Sequence, residues 1–388
     1  MDTLVCAFTS VVVETPSGPV PLGFLPAFFS FDPITAPDGF VALSVVPGGL
    51  PPSGVVWARE PDKNQSGMLL VAQRASSWVR LWRGDELGVE DHVGNRLRRA
   101  FREFGGADAV RTWQVSGRTW DLRRPLVMGI LNTTPDSFSD GGLFDSVERA
   151  VAHGRSMSEA GADLIDVGGE STRPGSALVE VDVEIARVVP VIRALCQVCA
   201  VPISVDTRKA AVARAALDAG ASIVNDVSGL RFDPQMVSLL ATRDCGVVVM
   251  HLRDDPAVMQ QHTEYDDILS EVADHLEHSL KLAYDWGIDL RRVLVDPGIG
   301  FGKDLAHNLA LVAGMRSLWS LGRPSLLGPS RKRFLGELTG RGPADRGPGT
   351  VAAVSAGVLN GAAVVRVHDV AEALDAVRLC FALRDRPS

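Results

Sequence analysis

Cysteine is scarce in this chain: Cys6, Cys196, Cys199, Cys245 and Cys380 are the only five in 388 residues. So sparse and odd-numbered a set excludes a disulfide framework and fits a reducing compartment. Long apolar runs are missing too. No stretch reaches the ~18 residues that a membrane helix needs. The N-terminus, MDTLVCAFTSVVVE, lacks the basic segment of a secretory signal. A soluble, cytoplasmic protein is the expectation. Positive charge is in deficit, with 39 Lys and Arg against 47 Asp and Glu and a net charge of −8. That argues against general nucleic-acid binding, and an anionic small ligand would need a local basic cluster. Several familiar signatures are also lacking. No G-x-G-x-x-G opens the regular part of the chain, and no HExxH accompanies His275-x-x-His278. Gly298-x-Gly300-x-Gly302-Lys303 has neither the spacing nor the Ser/Thr of a P-loop, and reads as a place where backbone passes close to a ligand. Cys196-x-x-Cys199 has no second pair nearby and reads as packing.

What is present is 46% hydrophobic residues, enough for a full core, arranged in two textures. Residues 1–110 are rich in Pro and Gly up to Pro52, carry β-like runs at 11–14 and 68–72, and predict a helix over 89–104. Gly105-Gly106-Ala107-Asp108 reads as a boundary. The expected division is a smaller α+β accessory domain at 1–110 and a second domain at 111–388. The second opens with TWQV and RTWDL flanking Ser116-Gly117, a β-hairpin pattern. Apolar runs then alternate with helical stretches. The runs lie at 126–132, 163–168, 202–206, 222–226, 246–251, 292–296, 325–330 and 362–368; helical stretches include 147–160, 209–219, 268–286 and 370–383. The runs do not alternate polar with apolar, as strands buried on both faces do not. Eight strand–helix units predict an α/β fold of the (β/α)8 TIM-barrel type, with a doubly wound open sheet as the alternative from pattern alone.

In such a barrel the chemistry sits at the C-terminal strand ends and the loops after them. Read in order, those positions hold Asn132, Asp166 with Glu170-Ser171-Thr172-Arg173, Asp206, Asn225 with Asp226, Met250-His251, Asp296, Ser330-Arg331-Lys332-Arg333 and Arg366-Val367-His368. They divide by chemistry. Asp206, Asn225, Asp296 and Lys332 suit a flat heterocycle with a donor-rich edge, although Asp206 also fits a helix cap before Lys209. Arg173, Arg366 and His368 suit phosphate, with Asn132 able to lend one oxygen to Mg2+; a surface ion-pair network is the plainer reading of Arg366 and His368. Arg331-Lys332-Arg333, opening a helix, suits a carboxylate, or is a solvated basic turn. Two Gly- and Ser-rich loops, 133–142 and 168–176, are expected to cover the site.

The motifs LNTTPDSFSDGG, DVGGESTRPGS, ISVDTRK, IVNDVSG, VMHLR, DPGIGFGK, SRK and RVHDV follow one another in this order. The series resembles that of bacterial dihydropteroate synthase, over about residues 112–388. The resemblance implies that Asp206, Asn225, Asp296 and Lys332 hold a pterin ring, with Met250 and Phe301 lining its pocket and Arg366 stacking near the ring. It implies that Asn132, Thr172, Arg173, Arg366 and His368 bind pyrophosphate, Asn132 touching Mg2+. Phe138, Arg173, Pro174, Lys332 and Arg333 would serve 4-aminobenzoate, and Asp140 would stabilise a pterin cation left when pyrophosphate departs. A homodimer is implied as well. Arg333 stands where many members carry serine, and NTTPD stands where NVTPD is commoner. Residues 1–110 match nothing in the resemblance. A pterin-dependent methyltransferase barrel would share the Asp and Asn groups but has no need of Lys332, Arg366 and His368, and a non-catalytic pterin binder would carry the same residues.

Overall fold

The structure is a computed structural model that describes residues 111–134, 143–171, 178–254 and 258–384, together with backbone strands between Phe8 and Leu81. Two compact units divide the chain, Met1–Ala109 with Arg316–Gly322, and Val110–Met315 with Arg323–Ser388. In the first, Phe8–Thr15 pairs antiparallel with Gly18–Pro26. Phe29–Ile34, Val41–Pro47, Gly54–Arg59, Leu69–Arg74 and Ser77–Leu81 form an antiparallel meander. The helix expected over 89–104 lies outside the described residues.

The second unit is a (β/α)8 barrel. Its strands are β1 Leu126–Asn132, β2 Leu164–Gly168, β3 Ile203–Asp206, β4 Ile223–Asp226, β5 Gly246–Met250, β6 Val293–Asp296, β7 Leu326–Leu327 and β8 Val364–Val367. All pair in parallel in the order β6-β5-β4-β3-β2-β1-β8-β7, and a bridge between Val295 and Ser325 closes the ring. Closure removes the open-sheet alternative. Around it lie α1 Leu143–Glu159, α2 Val181–Val198, α3 Ala210–Asp218, α4 Gln235–Ala241, α5 Ile268–Asp285, α6 Leu305–Ala313, α7 Arg333–Thr339, α8 Gly347–Leu359 and α9 Val370–Arg384. The strands are dominated by Val, Ile and Leu because helices cover one face and the barrel interior the other. Strand β7 is shorter than the run at 325–330 predicts. Pro329 has no N–H to give a ladder, and Arg331 takes up a left-handed conformation (φ 55°), so the chain leaves the sheet after Leu327.

The N-terminal mouth of the barrel is plugged. The hairpin of Thr112–Val115 and Arg118–Asp121 buries Trp113 completely, and the indole N–H donates to the Arg292 carbonyl at 2.7 Å. Trp113 packs with Leu126, Met128, Leu164, Ile223, Val248, Leu294, Leu326 and Val364. Side chains two residues apart on a strand point to the same face. Stepping along the strands from this apolar floor reaches Asp166, Asn225, Met250, Asp296 and Arg366, and then Asn132 on β1. The same inward column therefore begins apolar and ends polar, which is what lifts the chemistry to the C-terminal rim. Parallel register aligns the ends: Asn132 pairs with Gly168, Gly168 with Asp206, Asp206 with Asn225, and Met250 with Asp296.

Candidate active site

Arg366 ties the rim together. Its Nε donates to Asp166 Oδ2 at 2.6 Å and its Nη2 to Asp206 Oδ2 at 2.8 Å. Asp166 is fully buried, and the same Oδ2 accepts from Asn225 Nδ2 at 2.9 Å. Because a carboxylate only accepts, the Asn225 amide has to turn its nitrogen toward Asp166, which leaves its oxygen to face a ligand. Burial pushes Asp206 upward from the ordinary carboxylate range, against the pull of Arg366. Burial likewise pushes Asp296 up to about 6, opposed by the backbone N–H of Gly298 and by Lys332, Arg366 and Lys303. Asp206, Asn225 and Asp296 together offer a wall of acceptors, with cations beside it that favour the ionised carboxylates.

Asp226, at the end of β4, builds structure instead. Its carboxylate accepts from Ser228 N and Oγ and from Leu230 N, folding the turn after the strand.

The opposite wall is apolar. Met250 and Phe301 are buried with Val227, Leu252 and Met259. Lys332 Nζ sits 3.9 Å from the centroid of the Phe301 ring, a cation–π contact of ~0.5–2 kcal/mol. Phe301 rides on the turn after β6. Gly298 (φ 70°) is required there, since a Cβ would stand 2.1 Å from the His251 carbonyl oxygen.

At β7 and β8, Ser330 Oγ lies 2.9 Å from His368 Nδ1 and accepts the His368 backbone N–H at 3.1 Å. The hydroxyl holds the ring through Nδ1 and so turns Nε2 away from Ser330. Burial, then Arg366 and Arg331, hold His368 down to about 4. The basic triplet is split up. Arg331 pairs with Asp369, Arg333 is exposed and pairs with Glu337, and Lys332 alone of the three meets the Phe301 ring.

Asn132 closes the β1 end. A Cβ on Gly168 would meet Asn132 Oδ1 at 3.6 Å and Asp206 Oδ2 at 3.7 Å, so glycine lets these groups flank one point of the rim. Thr172, Arg173 and Pro174 on one loop, and Phe138 and Asp140 on the other, lie outside the described residues. The base of the first loop is described. Glu170 accepts from Val179 N at 3.3 Å and from Arg208 at 3.1 Å, and pairs with Lys209, which also pairs with Glu184.

Sequence reasoning noted Asp166 as a strand end but gave it no role, and likewise passed over Ser330, His251 and Lys303. The two-residue step from Leu164, a floor residue, marks Asp166 as inward-facing. The Ser330–His368 and Lys303–His251 pairings join distant parts of the chain and leave no local signal.

The family of pterin binding enzymes matches this chain over residues 128–368. The dihydropteroate synthase of Bacillus subtilis is 46% identical over 247 residues, 64% of this chain and 84% of that one. The mitochondrial folate synthesis bifunctional protein of Pisum sativum is 42% identical over 323 residues, 79% of this chain, which spans 60% of the pea protein's length. Among solved structures, Xanthomonas albilineans dihydropteroate synthase with 4-aminobenzoic acid superimposes with a TM-score of 0.68 at 48% identity, covering 72% of this chain and 100% of that one. With a closed barrel, a polar rim of the expected composition and relatives at this level of identity, the chain belongs to the dihydropteroate synthase family of pterin-binding enzymes.

Proposed function

We propose that this enzyme condenses 6-hydroxymethyl-7,8-dihydropterin pyrophosphate with 4-aminobenzoate to give 7,8-dihydropteroate and pyrophosphate, a step of folate synthesis. The observation that carries the reading is the acceptor wall of Asp206, Asn225 and Asp296 facing Lys332 on Phe301. The ring N–H and exocyclic amine of an aminopyrimidine are donors, and charged acceptors of this kind contribute roughly 1.5–3 kcal/mol each. Met250 and Phe301 supply the flat apolar surfaces against which such a ring lies.

The reaction breaks the C–O bond between the pterin methylene and pyrophosphate, and the electron pair leaves on oxygen. The amine nitrogen of 4-aminobenzoate then supplies the pair for the new C–N bond and gives up one proton to water or to the released pyrophosphate. Arg366, already oriented by Asp166 and Asp206, donates to the departing pyrophosphate, as does His368 in the tautomer that carries its proton on Nε2; Thr172 and Arg173 complete its site. Asp140 stabilises the pterin cation electrostatically. Phe138, Pro174, Lys332 and Arg333 receive the aminobenzoate, Arg333 by exchanging Glu337 for the carboxylate. An arylamine needs no strong base, in keeping with the low value held by His368.

Mg2+ is part of the proposal. Among the described residues no group of three or more His, Cys, Asp or Glu could hold a metal ion. The residues fit only an ion ligated mainly by phosphate oxygens and water, with Asn132 Oδ1 adding one contact. When bound, it would neutralise charge developing on the leaving group.

Exposed Leu309, Leu338, Leu359, Leu379 and Leu383 on α6–α9 support a homodimer through this side of the barrel; a monomer mass by light scattering would reject it. No helix among the described residues is long and apolar enough to cross a membrane, which is compatible with a cytoplasmic enzyme. The deciding assay is pyrophosphate release with both substrates and Mg2+. Release dependent on all three, matched by dihydropteroate, establishes the reaction. A folded protein that binds pterin without turnover leaves a non-catalytic binder.

A further inference from the structure

Lys303 is buried at 4% exposure, yet it contacts none of the rim groups described above within ion-pair distance. Its Nζ lies 2.9 Å from His251 Nδ1 and donates to the Phe301 carbonyl at 2.9 Å. Both partners matter to the geometry of the site. The His251 N–H donates to the Asp296 carbonyl at 2.9 Å, and Phe301 forms the apolar wall. Between them the chain turns through Gly298, Gly300 and Gly302, all at positive φ. The ammonium fills the inside of that turn. The direction a Cβ would take at Gly298 ends 3.4 Å from Nζ, while the Gly298 N–H donates to Asp296 Oδ1 at 2.7 Å. Ammonium and carboxylate therefore stand on two sides of a single glycine.

We propose that Lys303 is a positioning residue for ring recognition: wedged between His251 and the Phe301 carbonyl, it shapes the glycine turn that joins Asp296 to Phe301 and sets its ammonium beside the Asp296 carboxylate, where it adds to Lys332 and Arg366. This rests on the pterin reading of the site. Asp296 is faced by Lys332 from the β7–α7 loop, by Arg366 from β8 and by Lys303 from its own loop. Lys303 is faced by Asp296, Lys332 and His251. Behind His251, 4.6 Å ring to ring, stands His275 of α5, which bonds Arg231, and Tyr265 lies 6.0 Å away. Burial holds His251 well below the ordinary histidine range and His275 down to about 3, so neither ring competes as a cation near neutrality. Burial also brings Lys303 down to about 7. The charge on Lys303 is thus present in the range where Asp296 titrates and is lost above it.

The test is the pH dependence of affinity for 6-hydroxymethylpterin, a probe without phosphate groups, in the full-length protein from about pH 5.5 to 8.5. Lys303→Gln keeps two N–H donors for His251 and Phe301 but removes the charge. We expect its acid limb to move to higher pH, with affinity near pH 6 falling about fivefold if the Asp296 value rises by one unit. Its affinity rejoins that of the unaltered protein near pH 8.5. Lys303→Arg retains the original profile. In an Asp296→Asn background, where Asp206 still titrates, Lys303→Gln shifts the remaining acid limb no further. An unshifted profile in a folded Lys303→Gln protein, or an equal shift in Lys303→Arg, overturns the proposal. So does a shift of the same size from Lys303→Gln in the Asp296→Asn background; where Lys303→Gln fails to fold, Lys303→Met is read in the same way. If the unaltered protein binds the probe at no pH, it is the pterin reading that fails.

Discussion

Arg366 Nε and Asn225 Nδ2 converge on one oxygen of Asp166, at 2.6 and 2.9 Å, inside the barrel. A single buried carboxylate thus aims one group assigned to pyrophosphate and one assigned to the ring. Asp166→Asn keeps the shape and removes the charge. We expect kcat/KM to fall roughly 10- to 100-fold, the equivalent of one weakened charged hydrogen bond or two. Steady-state rates with both substrates, alongside a thermal melt, decide it; unchanged kcat/KM in a folded variant would remove Asp166 from the site.

Lys332→Met retains the aliphatic stem over Phe301 and loses the cation. The expected result is pterin affinity reduced about tenfold or more with little change in melting temperature, because the charged contact serves the ligand more than the fold. Titration calorimetry reads the affinity directly. A large loss of stability with normal affinity would show the reverse assignment.

Gly298→Ala meets the backbone itself. Its Cβ would fall 2.1 Å from the His251 carbonyl oxygen at a φ of 70°, so the turn has to move. We expect about 2 kcal/mol or more of lost stability in urea unfolding, together with weakened pterin binding as Phe301 shifts. A loss below ~0.5 kcal/mol would mean the turn tolerates the side chain.

His275 provides a pH signature. Its folded-state value of about 3 lies below the ordinary 6.5, chiefly through burial and next through Arg231. As pH falls below 6.5, unfolded chains take up a proton that the folded protein refuses until about pH 3. Stability is therefore lost across that window and fully kept above it. His275→Gln should lose less stability than the unaltered protein between pH 7.5 and 4.5, by about 2 kcal/mol. Parallel urea curves at the two pH values provide the comparison, and equal losses would show that His275 protonates freely in the folded state.

Much of the barrel can be read from the chain because a strand covered on both faces needs a continuous apolar run. Leu126–Asn132 is β1 to the residue. The run at 325–330 overstates β7 because Pro329 is apolar enough to extend the run yet cannot serve the ladder. Asp206, Asn225, Asp296, Lys332 and Arg366 assemble at one rim since each stands at, or just beyond, a strand end. The partners of those groups are less visible. Arg366 and Asp166 are 200 residues apart, and Arg331 meets Asp369 across 38. Nothing local distinguishes Arg331, tied to Asp369, from Lys332, turned toward Phe301. The left-handed backbone at Arg331 is accompanied by a hydrogen bond from its N–H to Thr350 Oγ1, a partner 19 residues away.

The Trp113 hairpin makes the barrel a blind well. Whatever reaches Arg366 and Asp166 does so from above, past Asn132 and Asp206, and departs by the same route. On the proposed reaction, the substrate seated deeper has to arrive before the shallower one, and the joined product leaves whole by the way its parts came in. One mouth serves every arrival and departure, because the packed core beneath it, Trp113 included, leaves no second door.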